Sequence, residues 1–279
     1  MRTDTLFYKP AKLLAVGSLL FAALVASQPA AAQTIVGSKH DLTAITGGAN
    51  AIRSTGTEIC VFCHTPHGAS SVAPLWNKVL PLSTAFTPRY TSSTMDGTTG
   101  VVGPNSLTCL SCHDGVSAMD TMINQPGSGG YNVAGARPGY TWLAASGVGP
   151  SGAMPARTAT TNIATIGVDL SDDHPIGVPY CGGTAGTACR DADFNVDKLY
   201  RNGTQVTTVS GGAAGDKWWV DTSATAGTRE KTDLMLYADA TFNPTVQCAS
   251  CHEPHGSGNA TFLRKSNASS ALCLTCHKK

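Results

Sequence analysis

Charged and aromatic residues are scarce in this sequence. Only 13% of its 279 residues are charged and only 6% are aromatic, while 30 are Gly and 15 are Pro. So few large apolar side chains build a thin core for a chain of this length, and we expect a non-protein group to help fill it. Lys and Arg (19) almost balance Asp and Glu (18), and no basic run stands out. This balance excludes nucleic-acid binding through a phosphate-tracking surface.

Long apolar runs are also absent after residue 32, so we expect no membrane span in that part of the chain. Residues 1–32 have instead the pattern of a secretory signal peptide. Basic residues precede an apolar stretch over 13–26, and Ala30–Ala32 supply a small-residue cleavage site. A retained membrane anchor is the alternative. Cleavage after residue 32 predicts an exported protein in a compartment that permits oxidised cysteines.

The cysteines form one repeated motif. Eight of the ten Cys make four C-x-x-C pairs, and a His follows each pair directly. C-x-x-C-H attaches c-type haem, because the two thiols bond to the vinyl groups of one porphyrin and the adjacent His is held against the iron. A zinc site or a thioredoxin-like pair would not require a His after every pair. The sequence therefore predicts four covalent haems, bound by Cys60 and Cys63, Cys109 and Cys112, Cys248 and Cys251, and Cys273 and Cys276. The proximal iron ligands are then His64, His113, His252 and His277.

Four histidines remain for the opposite faces of the four irons. They are His40, His67, His174 and His255. The competing ligands are the methionines, none of which has a distinctive local sequence. His67 and His255 both stand in an H-x-P-H-G frame, three residues after a proximal His. A His at that spacing cannot easily reach the far face of the haem that its neighbour binds, so we expect it to ligate a nearby haem instead.

The order of the motifs predicts an internal duplication. Each half has one lone His, one C-x-x-C-H-x-P-H-G motif and one C-L-[ST]-C-H motif. We therefore expect one tetrahaem domain over 33–279, with a dihaem half over 33–165. The second dihaem half covers 166–279 and contains an inserted loop region over 181–247. The expected fold is mostly irregular coil, with short α-helices around the haem motifs, a few short strands and a chain of haems as its core.

The inserted region holds two further local signals. Cys181 and Cys189 lie outside the haem motifs, and in an exported chain they predict a disulfide that closes a short loop. A pair of free thiols or an extra metal site is the alternative. The dipeptide Asn202-Gly203 separates two strand-like segments, Leu199–Arg201 and Thr204–Val209, and predicts a β-hairpin.

These motifs resemble those of the exported multihaem c-type cytochromes with paired C-x-x-C-H motifs. The resemblance rests on the segments S-K-H-D-L from Ser38, C-V-F-C-H-T-P-H-G from Cys60, C-L-S-C-H-D-G from Cys109 and D-H-P-I-G from Asp173. More narrowly, the chain is similar to the tetrahaem cytochromes that polymerise into extracellular conductive filaments of metal-reducing microbes. The resemblance implies that every iron has two His ligands, one of which can come from the next subunit.

Haems of this kind have no open position for a substrate, so the predicted function is electron transfer and not enzymatic catalysis. The expected partners are further copies in a head-to-tail homopolymer, other redox cytochromes as electron donors, and extracellular electron acceptors. The expected location is extracellular or at the cell surface, ahead of the periplasm. A soluble periplasmic shuttle is the main alternative. A multihaem reductase with one open haem and a haem-bearing structural or adhesive protein are the others.

The N-terminal arm bears on the filament. His40 follows the proposed mature start at Gln33 by only seven residues. A terminal arm is mobile unless it is docked. His40 could therefore ligate a haem of an adjacent copy, in a contact that does not close into a ring. The alternative is that the arm folds back on its own subunit.

Overall fold

The computed structural model describes residues 34–44, 52–127, 130–158, 161–186, 188–223, 225–241, 243–256 and 258–278. The signal peptide expected over 1–32 lies outside the described residues. Three α-helices occur in the described ranges: α1 (Pro104–His113), α2 (Cys248–Cys251) and α3 (Cys273–Cys276). Each carries one C-x-x-C pair. No helix in these ranges is long and apolar enough to cross a membrane.

Short strands are more numerous than helices in the described part of the chain. In chain order they are β1 (Met122–Asn124), β2 (Tyr131–Ala136), β3 (Val178–Pro179), β4 (Thr184–Ala185), β5 (Ala188–Cys189), β6 (Leu199–Arg201), β7 (Thr204–Gln205), β8 (Trp218–Val220), β9 (Leu234–Ala238) and β10 (Pro244–Val246). Single turns of 3-10 helix link them, at Ser83–Ala85, Ala144–Ser146, Tyr180–Gly182, Val196–Lys198, Ala260–Phe262 and Ala268–Ser270.

Six of the strands form one antiparallel sheet in the order β3-β10-β9-β8-β6-β7, and two separate hairpins pair β1 with β2 and β4 with β5. The expectation of a mostly irregular chain with a row of haems as its core is therefore wrong. The region 181–247, expected to be an inserted loop region, holds most of the large sheet. Its strands are only two to five residues long, too short for the alternating pattern of a strand to stand out in the sequence.

A protein core explains why the sheet forms. Trp218 pairs with Leu236 and Val220 pairs with Leu234 across β8 and β9, and all four side chains are buried. Removing these apolar groups from water favours the paired strands. The complete cluster consists of Tyr180, Cys181, Leu199, Val209, Trp218, Val220, Leu234 and Leu236.

A second, smaller core lies under α1. Pro104 starts this helix, where its missing N–H costs nothing. Leu107 and Leu110 then point inward from the helix. The complete cluster consists of Phe86, Val102, Leu107, Leu110 and Leu170. Each of the two cores thus supports at least one haem motif, because Leu272 and Cys276, at α3, pack against the first core.

The hairpin expected at Asn202-Gly203 is present as β6 and β7, which pair antiparallel. Asn202 (φ 50°) and Gly203 (φ 87°) both have positive φ, as the tight two-residue turn of a hairpin requires. The second strand ends at Gln205, earlier than the expected Val209.

We predict that Leu234→Ala destabilises the haem-loaded protein by about 2–5 kcal/mol, because the truncation leaves a cavity in the sheet core. Leu234 is 2% exposed, whereas Leu82 is 75% exposed. The matched control Leu82→Ala should change the free energy of unfolding by less than about 0.5 kcal/mol. Denaturant unfolding followed by circular dichroism measures both variants. Equal stabilities of the two variants would contradict this account of the core.

Candidate functional site

Each C-x-x-C-H motif forms about one helical turn, which directs both thiols and the imidazole to neighbouring positions. In three motifs the backbone N–H of the His donates to the carbonyl of the first Cys and closes the turn. These bonds are His64 to Cys60 (2.8 Å), His252 to Cys248 (3.1 Å) and His277 to Cys273 (3.0 Å). The remaining motif is the last turn of α1, where Cys109 and Cys112 lie on one face because they are three residues apart.

Most of the imidazoles are held through one ring nitrogen. In five of them Nδ1 lies within hydrogen-bonding distance of a backbone carbonyl: His40 and Pro254 (3.1 Å), His64 and Pro74 (2.8 Å), His113 and Ala164 (2.7 Å), His174 and Pro175 (3.1 Å), and His252 and Thr261 (2.8 Å). A carbonyl can only accept, so Nδ1 carries the proton in each case. Nε2 is then the unprotonated nitrogen, which is the form that binds a metal ion.

Two pairs of histidines lie at a separation that fits one metal ion. The ring centroids of His64 and His255 are 5.9 Å apart, and those of His40 and His113 are 6.1 Å apart. Two imidazoles that bind one ion from opposite sides, each at about 2 Å, place their centroids roughly 6 Å apart. The expected distal ligands His40 and His255 thus each lie at this distance from an expected proximal ligand.

A buried donor lies beside the first pair. The ring of Trp76 meets His64 edge-on at 5.8 Å. Its indole Nε1 is buried and has no acceptor among the described residues. A buried N–H normally has an acceptor, but the indole nitrogens of Trp142, Trp218 and Trp219 are buried without one in the described part of the chain as well, so this feature does not by itself point to a haem.

His255 lies near a histidine of another motif. Its ring centroid is 5.9 Å from that of His64, and the Glu253 carboxylate contacts its Nδ1 at 3.2 Å. That His255 ligates a neighbouring haem stays a prediction.

The N-terminal arm packs against its own chain. The ring of His40 stacks on Phe262 with centroids 4.2 Å apart and planes 7° apart, and it lies near His113 as described above. The arm thus lies against its own chain, and its part in a contact between copies stays a prediction.

Burial favours the neutral form of the inner imidazoles. It lowers the pKa of His113, although the Ala164 carbonyl partly offsets this effect. Burial also lowers the pKa of His40, and the nearby rings of His113, His255 and His252 act in the same direction. Neutral imidazole is the state that ligates iron, so this environment suits metal binding.

The thiols of consecutive motifs are neighbours in space. Burial is the main cause that raises the pKa of Cys63 and of Cys276, each to about 12, and a thiol of the next or previous motif raises it further. The second and third motifs are in direct contact through a hydrogen bond between the thiols of Cys109 and Cys248. This bond is the main cause that raises the pKa of Cys109. The neighbouring pairs are Cys63 and Cys112, Cys109 and Cys248, and Cys251 and Cys276.

A buried polar cluster, which we call the Gln247 clasp, joins α1 to α2. The Gln247 side-chain oxygen accepts from the Ser106 hydroxyl (2.5 Å) and from the Gly103 backbone N–H (3.2 Å). The Ser106 oxygen in turn accepts the backbone N–H of Cys248 (2.9 Å). Ser106 and Gln247 are almost fully buried, so the clasp fixes the second motif against the third.

The remaining expected site residues lie at or near the surface, as does the His255 ring, which is 61% exposed. His67 and His174 are exposed, and the side chains of Thr65 and Asn124 donate to the backbone carbonyl of His67. His277 packs against Phe194 with ring centroids 4.4 Å apart. Away from the haem motifs, Cys181 and Cys189 are joined in a disulfide beside the sheet core.

The residues that hold the site were not found from the sequence. Ser106 and Gln247 belong to no motif, and the carbonyls that fix the imidazoles are backbone groups, which carry no residue-type signal. The Gln-Cys-Ala-Ser order at 247–250 is the one local hint, because Gln247 and Ser250 cap α2 reciprocally.

Residues 243–279 match the family model described as the doubled CXXCH motif. This segment contains α2 and α3 with the two C-x-x-C-H motifs that they carry. The match supports a c-type cytochrome-like protein that binds haem covalently, and electron transfer is the function that this motif indicates. A search of curated protein sequences gave no match.

We predict that Gln247→Ala destabilises the haem-loaded protein by about 1–3 kcal/mol, because two buried donors lose their acceptor. Thermal or denaturant unfolding measures this loss. Gln205→Ala is the matched control, since the Gln205 side chain is exposed, and its effect should stay below about 0.5 kcal/mol. If both variants unfold like the parent protein, the clasp does not stabilise the site.

Proposed function

We propose that the protein is an exported tetrahaem cytochrome that transfers electrons through four bis-His c-type haems. The observation that carries this proposal is the pairing of imidazoles, His64 with His255 and His40 with His113, at about the spacing of two ligands on one ion. The four C-x-x-C-H motifs supply the covalent anchors.

The pairing favours electron transfer over catalysis. An iron with imidazole on both faces has no free position for a substrate, so its chemistry is limited to a change of oxidation state. A reductase requires at least one open haem. Each of the four rings in these two pairs is held through its Nδ1, three by a backbone carbonyl and His255 by the Glu253 carboxylate. These contacts orient the rings before any metal ion binds.

The neighbouring thiols support a relay. Thiols of consecutive motifs lie close enough to affect one another's pKa from the first motif to the fourth, and this closeness supports a connected series of bound groups. The Gln247 clasp keeps the middle of this series rigid. A bound c-type haem supplies the one-electron redox chemistry, and the chain positions, ligates and insulates it.

The test of this proposal is His255→Ala. Covalent attachment should be unchanged, with four haems per chain by intact mass, because the cysteines are untouched. One haem in four should become high-spin and bind carbon monoxide after reduction, since His64 loses its partner. Ultraviolet–visible and electron paramagnetic resonance spectra measure both changes.

Added imidazole provides the matched control, because it can occupy the space left by the His255 ring and should restore the low-spin spectrum. A His255→Ala protein that stays fully low-spin without imidazole would remove His255 from the ligand set. A parent protein that already binds carbon monoxide would favour the reductase.

We further propose that copies of the chain polymerise head to tail into an extracellular filament, with His67 at the contact between subunits. His67 lies on the surface next to exposed apolar residues. The Tyr131 ring packs against Gly68, and Tyr131 and Val133 present 61% and 71% of their surface to solvent from one face of β2. Such a patch is typical of a surface that another protein covers.

Negative-stain electron microscopy of sheared and cell-free fractions, with haem staining, tests the filament. The parent protein should give regular haem-bearing filaments. His67→Ala should give fewer or none, and His40→Ala should still polymerise, because His40 binds within its own chain. Monodisperse parent protein confined to the periplasm would contradict the filament and favour a soluble shuttle, the role that the folded-back arm supports.

A further inference from the structure

Lys78 is a buried cation. Its side chain is 1% exposed, and its ammonium donates to three backbone carbonyls, those of Ala118 (2.9 Å), Met119 (3.2 Å) and Thr121 (2.9 Å). A neutral amine has only two N–H groups, so three carbonyl acceptors require the charged form with its three donors. The charge is therefore fixed in place by the fold.

Lys78 lies between the first two haem motifs. The residue before it, Asn77, donates its backbone N–H to the Cys63 carbonyl (2.8 Å) and its side-chain amide to the Val61 carbonyl (2.8 Å). Both acceptors belong to the first motif. The three carbonyls that receive the ammonium come from the segment that follows the second motif.

The other charged side chains near the Lys78 ammonium are engaged with partners of their own. Asp120 is fully buried and paired with Arg137 through two contacts of 2.7 and 3.1 Å. The Asp114 carboxylate accepts from the backbone of Val116 and Ser117 and lies on the side of the second motif. None of the ion pairs in the described part of the chain includes Lys78.

The backbone next to the cation belongs to the first motif rather than the second. Lys78 directly follows Asn77, which is hydrogen-bonded to the carbonyls of Val61 and Cys63. The second motif has the Asp114 carboxylate beside it, and this negative charge opposes the cation there. A charge in a poorly solvated place is weakly screened, so its effect on a neighbouring redox group persists in salt.

We propose that Lys78 raises the reduction potential of the haem bound through Cys60 and Cys63, and so sets the place of that haem in the relay. This inference rests on the proposed electron-transfer function. With a haem bound at this motif, an electron from a donor redox protein would convert its ferric iron to ferrous iron, with no bond formed or broken and no proton transferred. The charge of the site falls by one unit, and a fixed cation stabilises the product of that change.

Lys78→Gln removes the charge and keeps an amide that can still donate to the carbonyls. Spectroelectrochemical titration of the haem-loaded protein should show one haem with a lower potential. The expected change in its one-electron equilibrium constant is about tenfold, which corresponds to about 59 mV. Lys78→Arg, which keeps the charge, should titrate like the parent protein.

Lys198→Gln is the matched control. Lys198 is an exposed cation that acts on Cys276 of the fourth motif, and water and salt should screen it. Its removal should shift the titration far less than Lys78→Gln does, and the small shift should vanish at high ionic strength. The shift from Lys78→Gln should survive high ionic strength.

Unchanged potentials in a folded, low-spin Lys78→Gln protein would overturn the proposal. If this variant does not retain haem, Lys78→Met, an uncharged residue of similar length, is titrated in its place, and an unshifted potential of the first haem overturns the proposal equally. A parent protein without low-spin bis-His spectra would instead defeat the proposed function, so the two failures are distinguishable.

Discussion

An imidazole that binds a metal ion through one ring nitrogen has to be oriented through the other. In this protein backbone carbonyls orient most of the site histidines, as at His64 with Pro74 and His113 with Ala164. Each such contact sets the tautomer, the ring orientation and the free nitrogen together. The loops that carry these carbonyls are therefore part of the site, although they contain no residue that reacts.

Holding those loops in place is the task of the two cores. The sheet core supports α3 directly through Leu272 and Cys276, and Tyr237 of β9 donates to Ala249 of α2. The smaller core supports α1. The Gln247 clasp then connects α1 to α2. The helices that carry the haem motifs are thus held by protein contacts, and their positions do not rest on the cofactors alone.

The sequence predicts those features whose residues lie close together along the chain, and it misses those formed by distant segments. The C-x-x-C-H spacing and the Asn202-Gly203 turn are complete within a few residues, so they could be recognised directly. The sheet could not be predicted, because β3 and β10 pair across more than sixty residues of chain. The partners of His64 and His113 were also beyond reach, since each pair brings together distant segments. Lys78 carries no motif, and only its burial distinguishes it.

The exposure of the motifs gives the proposed relay a direction of access. Cys60 and Cys273, in the first and last motifs, are exposed, whereas Cys109 and Cys248 are less so and share a hydrogen bond in the middle. Under the proposed electron-transfer function, accessible end motifs would let electrons enter at one end of the series and leave at the other. This part of the proposal does not depend on polymerisation. In the proposed filament such ends would meet between copies, whereas in the alternative shuttle they would contact other redox proteins.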